Sequence, residues 1–393
     1  MERAGVMGGS TRDSMKEHLE ILRCPVTGSR LREADESWLD DLNEKIVRGE
    51  LFHLTGAPAK EPLKAALVTV GGGGGGKEYA YRIEDAILFL LKDTALVMDS
   101  STPLAAGAGG AGGAGAGEAT EKKRVKDFYD QVGWTKSSDE TFVDASKFED
   151  LRPVSKDYIH KCHMRVKRHI RGGGKYLLDV ASGPVQYPEY LTYSSGFEYR
   201  ICMDISIGAL VHAREKLGDS GLYILGDITN LPIADDSLDA VVSLHTIYHV
   251  PEDEQSTAFF ELERVLAPGA SGAVVYSWGG DALLMKLAFF PAWLVMSIVR
   301  AIRGGGREEV EGEGLYFHAH TYGWFKRKVA ERIDADILTW RSVSIPFMRV
   351  YVHRWLLGSG LLSLIYAVEE LSPRFFGRYG AYPMIVIRKR SRT

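Results

Sequence analysis

The sequence predicts an α/β fold: a Rossmann-like parallel sheet with flanking helices, preceded by a small β-rich module and carrying inserted apolar helices near the C-terminus. Three observations lead there. The segment Lys175-Tyr-Leu-Leu-Asp179-Val-Ala181-Ser182-Gly183-Pro184-Val185-Gln186 has an apolar run dense enough for a strand buried on both faces, then a tight Ser-Gly-Pro turn into a helix. The next two strand-like runs each end on a carboxylate, Asp204 after Tyr199–Met203 and Asp227 after Tyr223-Ile-Leu-Gly. Helical patterns and short apolar runs then continue in alternation, which is the order of a parallel sheet built from crossover units.

Taken along the chain, residues 1–16 are polar and Gly-rich, with no long apolar run, and read as a disordered or non-native start in which Met15 is an alternative first residue and no secretory signal is expected. Residues 17–100 form the small module. Gly71–Gly76 reads as an expanded loop, and the Ala/Gly stretch Ala105–Gly117 as the heart of an interdomain linker over 101–121. The main domain follows over 122–393, with strands expected at Tyr176–Ala181, Tyr199–Met203, Tyr223 onward and Ser237–His245. A helix Glu252–Leu266, an Ala267-Pro-Gly-Ala turn and a strand Gly272–Trp278 come next, and Tyr382–Ile387 supplies the last strand. Apolar insertions interrupt this pattern at about 281–315 and 346–375.

Composition narrows the function class. A chain of 393 residues with 45% hydrophobic content can bury a large core in two or three domains. Its net charge of −4 gives no global attraction to nucleic acid, and the basic clusters Lys122-Lys-Arg124 and His160–Lys175 read as solvated helix faces. Cys24, Cys162 and Cys202 lie far apart, so no disulfide framework is expected and the cytoplasm is the simpler compartment.

The turn after the first strand does not match G-x-G-x-x-G. Pro184 removes a backbone donor and Val185 adds bulk where a pyrophosphate would need free N–H groups and close approach. A nucleoside without phosphates fits better, and Asp204, about twenty residues after the turn glycine, stands where such sheets hold a ribose diol. An isolated Asp179 or Asp227 would read as a cap or turn carboxylate; in register with one another they read as a site. On these residues the chain resembles the class I S-adenosylmethionine-dependent methyltransferases, whose first motif is Asp-x-Gly-x-Gly-x-Gly after a strand, and it looks most like their quinone- and lipid-biosynthesis group.

The resemblance implies the class I methyltransferase sheet and S-adenosyl-L-methionine as cofactor. It puts Asp179 at the acidic position and Gly183 at the central glycine, with Ala181 and Val185 in place of the other two. Ser182, the Gly183 backbone, Gln186 and Tyr187 then hold the aminocarboxypropyl tail, Asp204 and Ile205 the ribose, Asp227 and Ile228 the adenine. The loop His245-Thr-Ile-Tyr248-His249 is expected to bring catalytic groups, His245 touching cofactor or substrate and His245, Tyr248 and His249 serving the reaction, with His318 and His320 contributing from a later segment. Histidine suits removal of an acceptor proton, while the methyl donor itself needs mainly alignment in a dry pocket.

The module has its own resemblance. Leu19-Glu-Ile-Leu-Arg-Cys24-Pro-Val-Thr27-Gly-Ser-Arg-Leu31 and Tyr79–Leu91 look like the opening and closing segments of short zinc-ribbon proteins that bind and activate methyltransferases. The paired cysteines of a structural zinc site are missing, since Cys24 faces Thr27 and His53 is the only other plausible ligand. A metal-free remnant packed on the catalytic domain is expected, with no metal site.

The substrate signal lies in the apolar insertions. Leu283–Val299 approaches a membrane-spanning length but contains Lys286 and Pro291, and a crossing would separate the fifth strand from its sheet. With Trp355–Val368 it suggests a lid over a small, apolar acceptor or a peripheral membrane contact, against added core helices or a dimer interface. The expected function is methyl transfer to a small lipophilic acceptor. The rivals are a tRNA or protein methyltransferase and a non-catalytic scaffold of the same fold.

Overall fold

Alternating apolar residues in the first hundred positions form short strands that cannot bury both faces alone, and the chain solves this by joining them to a longer sheet. In the computed structural model, which describes residues 15–71, 77–98, 115–136, 141–170, 172–290 and 315–391, the N-terminal strands are β1 (Leu31–Glu33), β2 (Phe52–His53), β3 (Ala65–Thr69), β4 (Tyr79–Glu84), β5 (Ile87–Phe89) and β6 (Leu96–Val97), accompanied by the helix Glu36–Arg48. That helix is capped by the Asp35 carboxylate, which accepts from the Trp38 N–H, and ends at Gly49 in the left-handed region.

The main domain supplies β7 (Gly174–Val180), β8 (Phe197–Asp204), β9 (Gly221–Leu225), β10 (Leu238–Leu244), β11 (Leu266–Val275), β12 (Asp334–Arg341) and β13 (Tyr382–Arg388). The strand order is β1-β3-β4-β5-β9-β8-β7-β10-β11-β13-β12. From β9 to β11 every pairing is parallel, and β13 runs antiparallel between β11 and β12. This is a Rossmann-like α/β sheet. The N-terminal strands continue it, because β5 pairs parallel with β9, setting Ile87 opposite Tyr223 and Phe89 opposite Leu225.

Side chains of these strands alternate between two cores, as the two-residue period of a strand requires. Leu178, Val180, Ile201 and Ile224 face one side, where Leu22, Tyr81 and Leu88 of the N-terminal part complete the same cluster. Leu177, Cys202, Tyr223 and Val242 face the other, against Cys162, Trp340 and Met348. Module and main domain thus share a sheet and a core. Cys24 is buried with its Sγ 3.0 Å from the Tyr81 hydroxyl, and the His53 ring lies 3.3 Å from the Thr94 carbonyl.

Several expectations change. Helix Gly115–Phe128 begins inside the expected linker, and the rest of that linker, like Gly72–Gly76 and residues 1–14, lies outside the described residues. The turn after β7 does not run directly into a helix: only the four-residue helix Pro188–Leu191 follows, because Val185 takes a positive φ and delays helical geometry until Pro188. The Ala267-Pro-Gly-Ala turn proves to be a register shift within β11, between Leu266 and Ser271, with Gly269 left-handed. Of the expected apolar span, residues 283–290 are helical and 291–299 lie outside the described residues; among those described, no helix is long and apolar enough to cross a membrane.

Leu88 sits in this seam with no exposed surface. Leu88→Ala is expected to cost ~2–5 kcal/mol, and denaturant titrations followed by tryptophan fluorescence and by far-UV circular dichroism should move together as one transition. Loss of the N-terminal strands alone, with the remaining signal unshifted, would contradict a shared core.

Candidate active site

In an open α/β sheet a ligand crevice forms outside the carboxyl ends of the strands, where neighbouring strands connect in opposite directions. Here that point lies between β7 and β10, and it carries a cavity of about 490 Å³. The volume suits a drug-sized ligand. Its wall includes Asp179, Ala181, Ser182, Gly183, Gln186, Tyr187, Asp204, Ile205, Asp227, Ile228, His245, Tyr248 and His249, so every residue singled out in the three carboxylate-bearing strand ends and the His245 loop meets in one place.

The turn after β7 has an unusual backbone. Ala181, Gly183 and Val185 all take positive φ, at 52°, 54° and 49°. A β-branched residue there is a genuine outlier, so the path keeps a glycine-like course at Ala181 and Val185, the two positions that the resemblance matches to glycine. Asp204 stabilises it: its Oδ2 accepts the Gly183 N–H at 2.9 Å and its Oδ1 accepts the Ser206 N–H at 2.9 Å. Burial pushes the Asp204 carboxyl up to about 6, against these two bonds. Beneath the turn, Asp179 Oδ2 accepts from Arg200 Nε at 3.1 Å and from Arg200 Nη2, while Arg200 Nη1 donates to the Tyr190 carbonyl at 2.6 Å. Asp179 is therefore a buried ion-pair partner as well as a wall residue.

Gly183 has a second constraint, since a Cβ there would come within 2.8 Å of the Trp134 ring. Trp134 stacks on Tyr129 with centroids 4.9 Å apart, and its Nε1 is buried without a hydrogen-bond partner among the described residues. Gln186 is similarly half-used. Its Nε2 donates to Asp144 at 3.0 Å and its Oε1 is buried and unsatisfied. Unpaired buried groups of this kind call for a partner. At the end of β9, Asp227 Oδ1 accepts from the Thr229 N–H and hydroxyl, each at 2.8 Å, while its Oδ2 receives Lys122 Nζ at 2.8 Å. Lys122 also pairs with Glu254, so this part of the basic cluster is not a solvated face.

The opposite wall comes from later segments. His245, itself at φ 61°, has Nδ1 3.1 Å from the Tyr248 hydroxyl and its ring 4.5 Å from that of Trp340. Burial, then the Arg341 charge, pushes His245 down to about 3. His249 donates from Nδ1 to the Tyr316 carbonyl at 2.6 Å and is pushed down to about 4 by burial. Both rings are neutral at physiological pH. Burial likewise holds the Tyr248 hydroxyl protonated. Arg341 is buried and donates from Nη1 to Glu149 at 2.6 Å; Glu149, despite burial, is held below the ordinary carboxylate range by Arg341 and by His163, 3.8 Å away. Met285, Phe317, Ile345 and Tyr382 complete an apolar lining around this pair.

His318 and His320 do not reach the cavity wall. His320 stacks on Trp324 at 3.7 Å and bonds the Glu252 carbonyl at 3.0 Å, and His318 Nε2 lies 3.6 Å from the Glu252 carboxylate. The three side chains have ligand-type atoms within 4.8 Å of one another, with Glu252 exposed and His320 buried. Tyr129, Trp134, Glu149 and Arg341 went unread in the sequence. An aromatic cluster after the linker was the one local signal for the first two, and nothing near Glu149 or Arg341 marks them as partners 192 residues apart.

Residues 178–274 match the family model described as a methyltransferase domain. Sterol methyltransferase-like 1 of Botryococcus braunii is 29% identical over 164 residues, 39% of this chain and 40% of that protein. Phthiotriol/phenolphthiotriol dimycocerosates methyltransferase 1 of Mycobacterium ulcerans is 28% identical over 124 residues, 31% and 44% of the two chains. Demethylmenaquinone methyltransferase of Renibacterium salmoninarum is 31% identical over 134 residues, 32% and 54%. The chain thus spans about half or less of the length of these relatives.

The left-handed residues Ala181 and Val185 give opposite expectations. A left-handed L-residue costs ~1–2 kcal/mol, and glycine returns ~0.5–1 kcal/mol of that through the freer unfolded chain. Ala181→Gly should therefore raise stability by up to about 1 kcal/mol. Val185 is 1% exposed, and losing its burial, ~1.5–3 kcal/mol, outweighs the relief, so Val185→Gly should lower stability. Chemical denaturation midpoints of the two variants read the difference; a destabilised Ala181→Gly would contradict the strained path.

Proposed function

We propose that this protein transfers the methyl group of S-adenosyl-L-methionine to a small, lipophilic acceptor. The observation that carries the reading is the cavity itself, which joins the strand-end carboxylates Asp204 and Asp227 to an apolar wall that includes Met285, Phe317 and Ile345. The unpartnered Trp134 Nε1 and Gln186 Oε1 are a donor and an acceptor suited to the carboxylate and ammonium of an amino-acid tail. Ala181, Ser182, Gly183 and Tyr187 would border that tail. Asp204 and Ile205 would hold the ribose, and Asp227 and Ile228 the adenine. When bound, the cofactor supplies an electrophilic methyl group on a sulfonium.

The chain's own part is binding, orientation and exclusion of water. Asp179 acts through Arg200 by fixing the base of the turn. His245 and His249, neutral and too weakly basic to keep a proton at neutral pH, are suited to orient an acceptor by accepting hydrogen bonds, and the Tyr248 hydroxyl to donate one. The names of the relatives support an apolar acceptor, since they refer to a sterol methyltransferase-like protein, a dimycocerosate methyltransferase and a demethylmenaquinone methyltransferase. A second reading, a non-catalytic scaffold, draws on Lys122, whose ammonium competes for the Asp227 oxygen offered to adenine.

Calorimetry with S-adenosylhomocysteine separates these readings. A ribose diol needs the ionised Asp204 carboxylate, and that group is ionised above about 6, so affinity should be level above that pH and fall by up to about tenfold per unit below it. Asp204→Asn should bind weakly and without this pH dependence. The same raised value means that folding retains a proton the unfolded chain has lost, so Asp204 opposes stability increasingly as pH rises from its ordinary range toward 6. No binding by pure protein would leave the scaffold.

The acceptor is read by supplying labelled methyl donor to fractionated extracts. Label is expected in the lipid fraction. Label confined to RNA or to protein would overturn the lipophilic acceptor and favour a tRNA or protein methyltransferase.

A further inference from the structure

A helix packed on a globular domain needs one apolar stripe, and the helix Gly358–Leu371 has two. Its inner stripe is accounted for. Leu362 is buried, and Glu369, also buried, accepts from Arg165 Nη1 at 2.9 Å and from the Tyr158 hydroxyl at 2.8 Å, both on the helix Lys156–Lys167. The outer stripe is Leu361, Leu364, Val368 and Leu371, spaced three, four and three residues apart, so they share one face. All four are exposed, Leu364 at 62% and Leu371 at 84%.

Exposed apolar residues continue upstream. Trp355 and Leu357 are 78% and 80% exposed, and Leu357 takes a left-handed φ of 54° at the start of the helix. Soluble monomers rarely leave so continuous an apolar surface without a partner. Its charges are of one sign: Arg349 and Arg354 are exposed beside it and form no ion pair with a described residue, while the nearby carboxylate, Glu370, is already bound by Arg165 and Arg168. A tryptophan next to arginines, beside a leucine stripe, is the composition that lies along a bilayer surface, with the ring at headgroup level and the guanidinium groups on lipid phosphates.

Segments of the cavity wall carry exposed apolar residues as well. In the helix Ile345–Tyr351, Ile345 lines the cavity whereas Val350 is exposed; in the helical residues 283–290, Met285 lines it whereas Leu287 is exposed. The Tyr351 hydroxyl joins these two segments by donating to the Ala288 carbonyl at 2.9 Å. We infer that the stripe Leu361–Leu371, with Trp355 and Leu357, docks on a bilayer carrying anionic headgroups and sets the cavity beside the membrane surface. The docking stands on the exposed face and its charges; its purpose, direct entry of an acceptor dissolved in the bilayer, rests on the proposed lipophilic substrate.

The test is co-sedimentation of the full chain with vesicles of phosphatidylcholine alone and of phosphatidylcholine mixed with phosphatidylglycerol. The wild-type chain should bind the mixed vesicles better. Leu364→Glu with Leu371→Glu, both on the solvent side, should lose at least about tenfold in partitioning, and the milder serine pair should lose less in the same direction. Arg349→Gln with Arg354→Gln should lose about fivefold per arginine at low salt, and little at high salt. S-adenosylhomocysteine binding without vesicles should be unchanged in every variant. Vesicle binding without any cofactor binding would keep the docking and remove the proposed function; the converse would do the opposite. The docking is overturned if the wild type does not partition, if the glutamate and serine pairs partition as it does, or if light scattering finds a dimer that the glutamate pair dissociates while vesicles bind neither form.

Discussion

Between Val180 and Gln186 the chain reverses through three left-handed residues, Ala181, Gly183 and Val185, and the cavity depends on that reversal being held. Left-handed geometry is disfavoured for L-residues, so it persists only where the surroundings over-determine it. The Asp204 carboxylate does this from above by taking the Gly183 and Ser206 N–H groups, and the Arg200–Asp179 pair does it from below by binding β7 to β8. Trp134 closes the space over Gly183 that any larger side chain would occupy. The carboxylate that stabilises the turn also lines the cavity, so the backbone path and the cavity wall depend on the same residue.

The second constraint is the edge of the sheet. A parallel strand left at an edge presents unpaired backbone groups and apolar side chains, and β9 would be such a strand without β5. The N-terminal segment covers it, and Leu22, Tyr81 and Leu88 then enter the same core as Leu178 and Ile224. Sequence reading allowed for a module that packs on the main domain. Continuous pairing is a stronger link, because it couples the folding of the two parts through a shared sheet.

Burial separates the two walls of the site in another way. On the side of the β7–β9 strand ends, acidic groups are met by N–H donors, an arginine and a lysine. On the other side, two histidines lie among aromatic rings beside the paired Arg341 and Glu149, and burial drives both rings to the neutral form. That wall is an apolar chamber with neutral hydrogen-bonding groups.

How much of this was legible follows from how local each feature is. Runs of apolar residues ending in Asp179, Asp204 and Asp227 reveal the strands of a parallel sheet, since a strand buried on both faces has a one-dimensional signature and its last residues necessarily meet at one end. Sequence by itself therefore determined the fold class and the wall of the cavity built from strand ends. The tertiary structure alone decided that Val185 keeps a glycine-like backbone, that β5 extends the sheet, that His318 and His320 lie apart from His245, and that Glu149 finds Arg341. Those outcomes depend on which distant segments stack and on how far each charge is removed from water, and neither quantity is written in the spacing of residues along a chain.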